Sequence, residues 1–245
     1  MSRENPPSPR DASTPLVDDD SASSENLVRR AALTLGRLRE RFGPLHWRPH
    51  GDPLTELVLT ILSQHTNDTN SGRAFASMQR RYPTWDDVLA AEPEALADSI
   101  RQGGLANQKA PRIQQVLARV SEDCGDWNLD HLAQMPLNEA KTWLRSLPGV
   151  GPKTAACVLM FALGRPALPV DTHVFRVARR LGLIGERVTA EQAHVVLEAL
   201  VQPEDTYAFH IALIKHGRHT CTARNPNCGD CPLNDFCPSA FANSA

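Results

Sequence analysis

Apolar residues recur along this 245-residue chain at the three- and four-residue spacing of α-helices, and no stretch shows the sustained alternation of a β-strand. Glycine and proline separate the helical segments. The first predicted helix runs from about Asn26 to Phe42, before Gly43-Pro44, and Asp52-Pro53 opens the second. Further helices are predicted over 84–92, 94–102, 108–121 and 137–146, and from Asp171 and Thr189 onward. The pattern therefore predicts an all-α fold of roughly ten helices.

The most apolar stretch, Ala155–Leu163, has no polar face, which is typical of a helix buried on every side. Gly164 and Pro166 are expected to end it. The stretch is far shorter than the about twenty residues that a membrane span requires, so the sequence argues against a transmembrane protein. The N-terminal residues lack the apolar region of a secretory signal. These features predict a cytoplasmic protein with no membrane partner.

Residues 1–25 are rich in proline, serine and aspartate and contain almost nothing to bury, so they are expected to form a disordered acidic tail. The net charge of the whole chain is −2, and because the tail is acidic, the remainder has a small positive excess. Arginine far outnumbers lysine, and guanidinium groups contact phosphates well. A GC-rich genome explains the same bias, so charge alone does not indicate a nucleic-acid partner.

The segment Leu147-Pro-Gly-Val-Gly-Pro-Lys153 predicts a tight turn between two helices. Its glycines permit positive φ angles and the close approach of another backbone. The amides of Gly149, Val150 and Gly151, together with the first N–H groups of the next helix, would form an anion site suited to a DNA phosphate. Such a contact positions a protein on DNA without reading its sequence. A bare pair of glycines is also typical of an ordinary helix–helix turn.

Lys153 is expected at the second position of the helix after this turn, where the helix dipole disfavours a cation. That placement favours a neutral amine, which is a nucleophile able to form a Schiff base. Asp171 precedes another predicted helix and is a candidate N-cap. A rigidly held carboxylate beside Lys153 would stabilise positive charge on a sugar. Taken singly, each residue is also explained by a structural role.

Four cysteines near the C-terminus follow the spacing C-x6-C-x2-C-x5-C: Cys221, Cys228, Cys231 and Cys237. Four thiolates on a short segment bind either one tetrahedral zinc ion or one [4Fe-4S] cluster. Zinc sites usually join two close cysteine pairs across a longer loop, so the single C-x2-C favours iron–sulfur. Disulfides are the weakest alternative, because the compartment is expected to be reducing. Cys124 and Cys157 are predicted to be small buried residues.

Three strings taken together resemble the endonuclease III family of DNA glycosylases, within the helix-hairpin-helix superfamily: LPGVGPKTA, VDTHVFRV, and HGRHTC with the cysteines that follow. The resemblance covers nearly the whole chain beyond the tail. It implies that Lys153 is the nucleophile and that Asp171 is the assisting carboxylate. It also implies that the four cysteines hold a [4Fe-4S] cluster.

The fold implied by the resemblance is two α-helical domains with a DNA-binding cleft between them. Residues 49–166 are expected to form a six-helix barrel that carries the hairpin, residues 147–153. Residues 26–48 and 167–241 are expected to form the second domain, with the iron–sulfur loop at 221–237. A damaged nucleotide would be flipped out of the duplex into the cleft, because its C1′ cannot be reached inside the stack.

Two loops correspond, by the same resemblance, to those that fill the gap left in the duplex by the flipped nucleotide: Leu62–Asp68 and Gly103–Leu105. We call them the gap-filling loops. Gln64, His65 and Leu105 are the DNA contacts expected there, and Leu105 matches the apolar wedge of the family.

The sequence departs from the family pattern at three places. His65 stands where glutamine is usual, and Ala106 stands where an aromatic residue is frequent. The cluster loop Thr222–Asn227 has Arg224 as its single cation, where relatives often carry several. Arg224 remains an expected DNA contact. These departures bear on base preference, opposite-strand preference and DNA affinity.

The reaction that the resemblance implies is the removal of oxidised pyrimidines from double-stranded DNA, with cleavage at the resulting abasic site. The Lys153 amine would attack C1′, the base would leave, and the iminium so formed would acidify the C2′ hydrogens for β-elimination. Asp171 would stabilise the positive charge that develops on the sugar and would help the amine to lose its proton. The protein is expected to act as a monomer and to associate with the nucleoid when it is bound to DNA.

Other protein classes share part of this pattern. Adenine-removing and thymine-removing mismatch glycosylases have the hairpin but usually lack a lysine at the position of Lys153. The adenine type also needs a glutamate in the helix before the first gap-filling loop, where Leu59-Thr60-Ile61 offers no carboxylate. A non-catalytic DNA-binding or iron–sulfur redox module is the remaining alternative, and the presence of both Lys153 and Asp171 argues against it.

Overall fold

The computed structural model describes the backbone of residues 19–242 and the side chains of residues 24–240. This part of the chain is helical and contains no β-strand, so the all-α prediction is confirmed. Its α-helices, α1 to α12 in chain order, are Asp19–Phe42, Pro53–Ser63, Asp68–Arg81, Trp85–Ala90, Pro93–Ser99, Ala106–Cys124, Leu137–Ser146, Pro152–Cys157, Thr172–Arg180, Ala190–Leu200, Thr206–His219 and Pro238–Ala242. Short 3-10 turns lie at Arg101–Gly103, Asp130–Ala133 and Pro203–Asp205.

The first helix begins at Asp19 and so includes the end of the segment expected to be a disordered tail. Acidic residues are favourable near the N-terminal end of a helix, so an acidic composition is compatible with a helix there. α1 ends at Phe42 as predicted, and Gly43 follows it with a positive φ of 76°. The rest of the expected tail, residues 1–18, lies outside the described residues.

Two predicted helix starts are confirmed by their caps. The Asp52 carboxylate accepts a hydrogen bond from the Thr55 amide at 2.9 Å, and Pro53 is the first residue of α2. Thr189 forms the expected capping box with Gln192 at the start of α10. Both caps satisfy amides that have no partner inside the helix.

The apolar stretch Ala155–Leu163 is largely buried, as predicted, but it is not one regular α-helix. α8 ends at Cys157, and the chain continues through a π-helical turn before Gly164 ends it with a φ of 63°. The Trp47 indole N–H donates to the Met160 carbonyl oxygen at 2.7 Å. A π turn shifts the backbone hydrogen-bond register, and such turns are frequent beside functional sites.

The sequence pattern does not indicate α3 or α11. α3 buries only Ser71, Ala74, Phe75 and Met78, so its apolar periodicity is weak. α11 buries His210 and His216 among its apolar residues, and histidine counts as polar in a hydrophobicity pattern. These helices are specified by the surfaces against which they pack.

The described chain has two separate hydrophobic cores, and the chain passes from one core to the other between Ala167 and Leu168. Helices α2 to α8 surround one core, which extends from Leu54 to Ala167. Helices α1, α9, α10 and α11 surround the other core. Its residues come from α1 and from the segment between Leu168 and Leu233. Because the cores are separate, the chain forms two helical units with a cleft between them. Every helix in the described part is too short or too polar to span a bilayer.

Candidate active site

A cleft of about 400 Å³ lies between the two helical units. Residues of α2, α3 and α8 line one side, and Asp171 and residues of α11 line the other. Lys153 and Asp171 both line this cleft, although they belong to different units. A volume of this size is typical of a ligand pocket. The structure therefore brings together the two residues that the sequence singled out for chemistry.

The hairpin before α8 sets the position of Lys153. Gly149 has a φ of 71°, and a Cβ built there would lie 2.3 Å from the Arg112 side chain, so this turn position requires glycine. Gly151 is the N-cap of α8, and Lys153 is the second helical residue, as predicted. Val150 is buried, which leaves its side chain in the core rather than on a DNA-facing surface.

Asp171 caps α9, as the sequence predicted. One carboxylate oxygen accepts the Val174 amide at 2.8 Å. The cap holds the side chain in one orientation, and the residue lines the cleft. A structural and a chemical role for Asp171 are thus compatible.

The extended segment that leads into α9 is held by buried side chains on both of its faces. The Leu168 amide donates to Glu198 Oε1 at 2.8 Å, and the Leu168 carbonyl accepts from His194 Nδ1 at 2.9 Å. The Pro169 carbonyl accepts from His210 Nδ1 at 2.8 Å. Burial lowers the pKa of His210 to about 4, so its ring is neutral at physiological pH. These bonds fix the backbone just before Asp171.

Lys153, Asp171 and the buried Cys157 form one electrostatic group. Lys153 precedes Cys157 by one turn of α8, and its positive charge favours the thiolate form of Cys157. Burial raises the pKa of that thiol to about 11, and the nearby Lys153 and Asp171 act on it with opposite signs. The same two residues also act on His210 across the cleft. Cys157 is buried and neutral, as the sequence analysis expected, yet it lies at the site.

Glu56 is a second carboxyl group in the cleft, and the sequence analysis did not find it. Its side chain is almost fully buried on α2. The Thr60 hydroxyl donates to Glu56 Oε1 at 3.3 Å, and His50 Nδ1 lies 3.9 Å from Glu56 Oε2. Burial raises the pKa of the Glu56 carboxyl to about 7, against the opposing effects of the Thr60 hydrogen bond and the Lys153 ammonium.

The signal for Glu56 was present in the sequence as a polar stripe. Glu56, Thr60 and Ser63 recur at helical spacing in α2, whose remaining positions are mostly apolar, and all three line the cleft. The stretch Leu59-Thr60-Ile61 has no carboxylate of its own, yet Glu56 brings one to Thr60 from one turn earlier. A line of polar residues along an otherwise apolar helix is therefore the sequence signal that predicts this wall of the cleft.

The gap-filling loops share an unusual backbone feature. His65 and Leu105 have positive φ angles of 55° and 52°, in a region that non-glycine residues seldom adopt. Both residues are exposed, Leu105 with 46% of its surface accessible. Strained, exposed positions of this kind concentrate at ligand-contacting sites.

A single buried lysine joins the two gap-filling loops. Lys109 Nζ donates to the Leu62 carbonyl at 2.7 Å and to the Gly103 carbonyl at 2.8 Å. Its side chain is 2% exposed, and burial lowers its pKa. The ammonium therefore has main-chain oxygens from both loops as its partners. The sequence analysis missed this residue, because a lysine between two loops carries no local pattern.

Gln64 connects the first gap-filling loop to the hairpin. Its amide nitrogen lies 3.4 Å from the Thr154 hydroxyl and 3.5 Å from the Gly149 carbonyl. Its amide oxygen accepts from Arg112 at 3.2 Å. In this arrangement Gln64 is a bridge inside the protein, whereas His65 and Leu105 extend from the surface.

None of the residues expected to contact DNA is among those that line the cleft, whether inside or outside the gap-filling loops. Gly149, Val150 and Gly151 lie at the N-terminal end of α8, beside the cleft wall that Lys153 forms. Arg224 is exposed on the cluster loop, where its carbonyl oxygen accepts from the Thr222 hydroxyl.

All four clustered cysteines line one small cavity at the C-terminal end of α11. Arg180 donates to the Cys221 sulfur at 3.2 Å, and His216 Nε2 lies 3.7 Å from the Cys231 sulfur. Among the described residues, no three histidine, cysteine or acidic side chains converge as ligands of a single metal ion. A cluster does not require that convergence, since each thiolate binds a different iron. The all-cysteine donor set and the hydrogen bond to sulfur fit an iron–sulfur cluster.

Comparisons with known proteins agree with this geometry. Residues 58–203 match the model of the HhH-GPD superfamily base excision DNA repair proteins, and residues 221–237 match the iron-sulfur binding domain of endonuclease III. Endonuclease III of Thermotoga maritima is 37% identical over 187 residues, which are 76% of this chain and 83% of that protein. A putative DNA glycosylase of Arabidopsis thaliana, At3g47830, is 39% identical over 193 residues, 75% of this chain and 66% of that longer protein.

Solved structures show the same fold. A non-covalent endonuclease III–DNA complex superposes with a TM-score of 0.77 at 29% identity, covering 89% of this chain and 98% of that chain. A trapped endonuclease III–DNA covalent intermediate superposes with a TM-score of 0.76 at 28% identity, covering 89% and 99%.

Two helical units around a cleft, a helix-hairpin-helix turn and a cysteine cluster define a helix-hairpin-helix DNA glycosylase. The chain belongs to the HhH-GPD superfamily of base excision DNA repair proteins, and within it to the endonuclease III group with its iron–sulfur domain. It is an enzyme of the DNA glycosylase/AP lyase class.

Proposed function

We propose that this enzyme removes oxidised pyrimidines from double-stranded DNA and cleaves the abasic strand, using Lys153 for both steps. The Lys153 amine attacks C1′ as the glycosidic bond breaks, and Asp171 stabilises the positive charge on the sugar. The C1′–O4′ bond of the sugar then breaks as O4′ takes a proton from Nζ, which leaves an iminium between Nζ and C1′. The iminium withdraws electrons, so a C2′ proton is lost and the 3′ phosphate leaves by β-elimination. At an existing abasic site, the Lys153 amine condenses with the C1′ aldehyde and water leaves, which gives the same iminium.

The observation that carries this proposal is the meeting of Lys153 and Asp171 at one interdomain cleft. A lysine at the start of a buried helix, facing an aspartate whose orientation a cap fixes, suits amine attack on a sugar. The gap-filling loops add the means of holding a flipped nucleotide: His65 and Leu105 would enter the duplex where the base has left, and the hairpin amides of Gly149 and Gly151 would contact a phosphate.

The four cysteines would hold a [4Fe-4S] cluster in this proposal. The cluster would cross-link the C-terminal segment to α11 and supply structural support rather than reacting groups. Arg180 joins this site to α9 through the Cys221 sulfur and the carbonyl oxygens of Thr222 and Ala223. Arg224, on the same loop, would contact the DNA backbone from there. The cluster is tested by iron content and visible absorption of Cys228→Ser, with Cys124→Ser as the matched control.

Borohydride trapping on a duplex with one thymine glycol tests the reaction. Borohydride reduces the iminium to a stable amine, so wild-type protein should form a covalent DNA adduct. Lys153→Ala should form none, while Lys215→Ala, which changes a lysine outside the cleft, should form it fully. An undiminished adduct with Lys153→Ala would refute the proposed chemistry.

The substrate range is tested separately. Duplexes that carry an oxidised pyrimidine should be cleaved faster than matched duplexes with a thymine opposite guanine or an adenine opposite 8-oxoguanine. Faster release of either mismatched base would assign the enzyme to a mismatch-specific group instead. The expected monomer is checked by sedimentation of the protein with one bound duplex.

A further inference from the structure

The cleft contains several ionisable groups that the proposed reaction does not use, and Glu56 is the most deeply buried carboxyl among them. Asp171 has one carboxylate oxygen bound to the Val174 amide, and the proposed function assigns it to the positive charge on the sugar. Lys153 must lose a proton before its nitrogen can attack, and that proton needs an acceptor. Glu56 lines the same cleft, on the side formed by the same helical unit as Lys153.

Glu56 is held where it is by its neighbours rather than by a salt bridge with a fixed cation. Its Oε1 accepts the Thr60 hydroxyl at 3.3 Å, and its Oε2 is 3.9 Å from His50 Nδ1. His50 is itself stacked on Phe161, with ring centroids 4.7 Å apart. Lys153 and Glu56 both line this one cleft, and the Lys153 ammonium favours the ionised form of the Glu56 carboxyl.

We propose that Glu56 is the proton acceptor for Lys153: it takes a proton from the ammonium before attack and passes it to the departing base. This inference rests on the proposed function. One proton moves from Nζ to a Glu56 carboxylate oxygen, and the freed electron pair forms the Nζ–C1′ bond. The C1′–N bond breaks with its electron pair going to the base, which then takes the proton from Glu56. Charge and atoms balance without any other reactant.

The environment of Glu56 suits a group that both accepts and returns a proton. Burial raises the pKa of Glu56 to about 7, so both of its forms are populated near neutral pH. Such a carboxylate is a stronger base than an ordinary one, and its acid form remains able to donate. An ordinary surface carboxylate would accept a proton from an ammonium far less readily.

Several other charged or titratable groups surround Glu56 and must be considered in any pH profile. They come from every element that lines the cleft: His50, Asp68, Lys153, Cys157, Asp171, His210 and Arg218. Asp68 and Arg218 are joined to each other by an exposed 3.0 Å ion pair between α3 and α11. Cys157 and His210 are neutral at physiological pH, because burial raises the pKa of the first and lowers that of the second.

The test is the pH dependence of the single-turnover glycosylase rate for the wild type and Glu56→Gln. The wild-type rate should rise through about pH 7, where Glu56 ionises. Glu56→Gln should lack this rise and be about 100-fold slower at neutral pH. Its deficit should shrink as the pH rises further, because hydroxide then takes the proton that Glu56 no longer accepts. Glu94→Gln, an exposed change on α5, should behave as wild type.

Other outcomes separate this inference from the proposed function. If Lys153→Ala abolishes borohydride trapping but Glu56→Gln keeps the wild-type rate and profile, the reaction stands and Glu56 is not the acceptor. An equal loss for Glu56→Gln at every pH would mean that Glu56 only positions the site, which also overturns the inference. Glu56→Asp keeps a carboxylate and should retain the rise with pH at a reduced rate. If Glu56→Gln does not fold, the wild-type and Glu56→Asp profiles decide.

Discussion

His65 and Leu105 lie on two different loops, and both adopt left-handed backbone angles, with φ of 55° and 52°. Asn225 is the other non-glycine residue in the described chain with a positive φ. Asparagine tolerates this region, whereas a γ-branched leucine does so at a cost of about 1–2 kcal/mol. The two strained residues are those that the resemblance assigns to the gap in the duplex. Strain at these tips is thus expected to serve DNA binding rather than folding.

Replacing Leu105 with glycine should separate folding from function. Glycine relieves the strain, so we expect the free energy of unfolding to stay constant or rise by up to about 1 kcal/mol. The cleavage rate should fall at least about tenfold, because the apolar wedge is gone. Leu105→Ala removes the wedge but keeps the strained backbone, so it should lose activity without the gain in stability. Denaturant unfolding and single-turnover cleavage measure the two effects; a Leu105→Gly variant with full activity would contradict the wedge assignment.

Replacing Lys109 with methionine should uncouple the gap-filling loops. The Leu62 and Gly103 carbonyls would lose their charged donor inside the protein, at a cost of about 3 kcal/mol of unfolding free energy. DNA affinity should fall as well, because the loops lose their common anchor. Lys215→Met is the control, since Lys215 lies over the Phe42 ring at 5.8 Å and contacts neither loop. Equal affinity of both variants for an abasic-site duplex would show that Lys109 has only a stabilising role.

Two substitutions of Asp171 distinguish its cap from its charge. Asp171→Asn keeps an oxygen for the Val174 amide, so stability should change little. Asp171→Ala removes the cap and should cost about 1 kcal/mol. Both remove the negative charge, and both should slow base release by about 100-fold. Thermal unfolding and single-turnover rates measure the two effects. An Asp171→Asn variant with the wild-type rate would show that Asp171 serves only as a helix cap.

The raised pKa of Glu56 predicts how stability depends on pH. The folded state holds the Glu56 proton up to about pH 7, whereas the unfolded chain releases it near 4.5. Between these values the folded state binds more protons, so this residue lowers stability as pH rises. Glu56→Gln should therefore be more stable than the wild type at pH 8, by roughly 3 kcal/mol at most. The difference should vanish at pH 4, and a destabilised variant at pH 8 would contradict the burial of an ionisable group there.

Greater stability combined with lower activity would mark Glu56 as a functional residue. A buried carboxyl that serves folding alone should be paired with a fixed cation or replaced by an apolar residue. Here Glu56 has a weakly bonded hydroxyl and a histidine 3.9 Å away as neighbours. Active sites commonly retain such unfavourable groups.

Local patterns in the sequence determined the helical class, most helix ends and the chemical residues. Caps such as Asp52 and Thr189, and the turn at Gly149, depend on backbone geometry within a few residues, so a short string specifies them. The cysteine spacing and the placement of Lys153 at the start of a helix are local in the same sense. These features were therefore predictable from the chain alone.

Tertiary structure decided everything that depends on distant residues meeting. The pKa of Glu56 is raised because the folded chain buries its carboxyl group away from water. Lys109 joins the two gap-filling loops because folding brings the Leu62 and Gly103 carbonyl oxygens to its ammonium group. The position of α11 depends on the second hydrophobic core, which its buried residues help to form. Desolvation and long-range hydrogen bonds arise when packing brings separate segments into contact, so no local pattern records them.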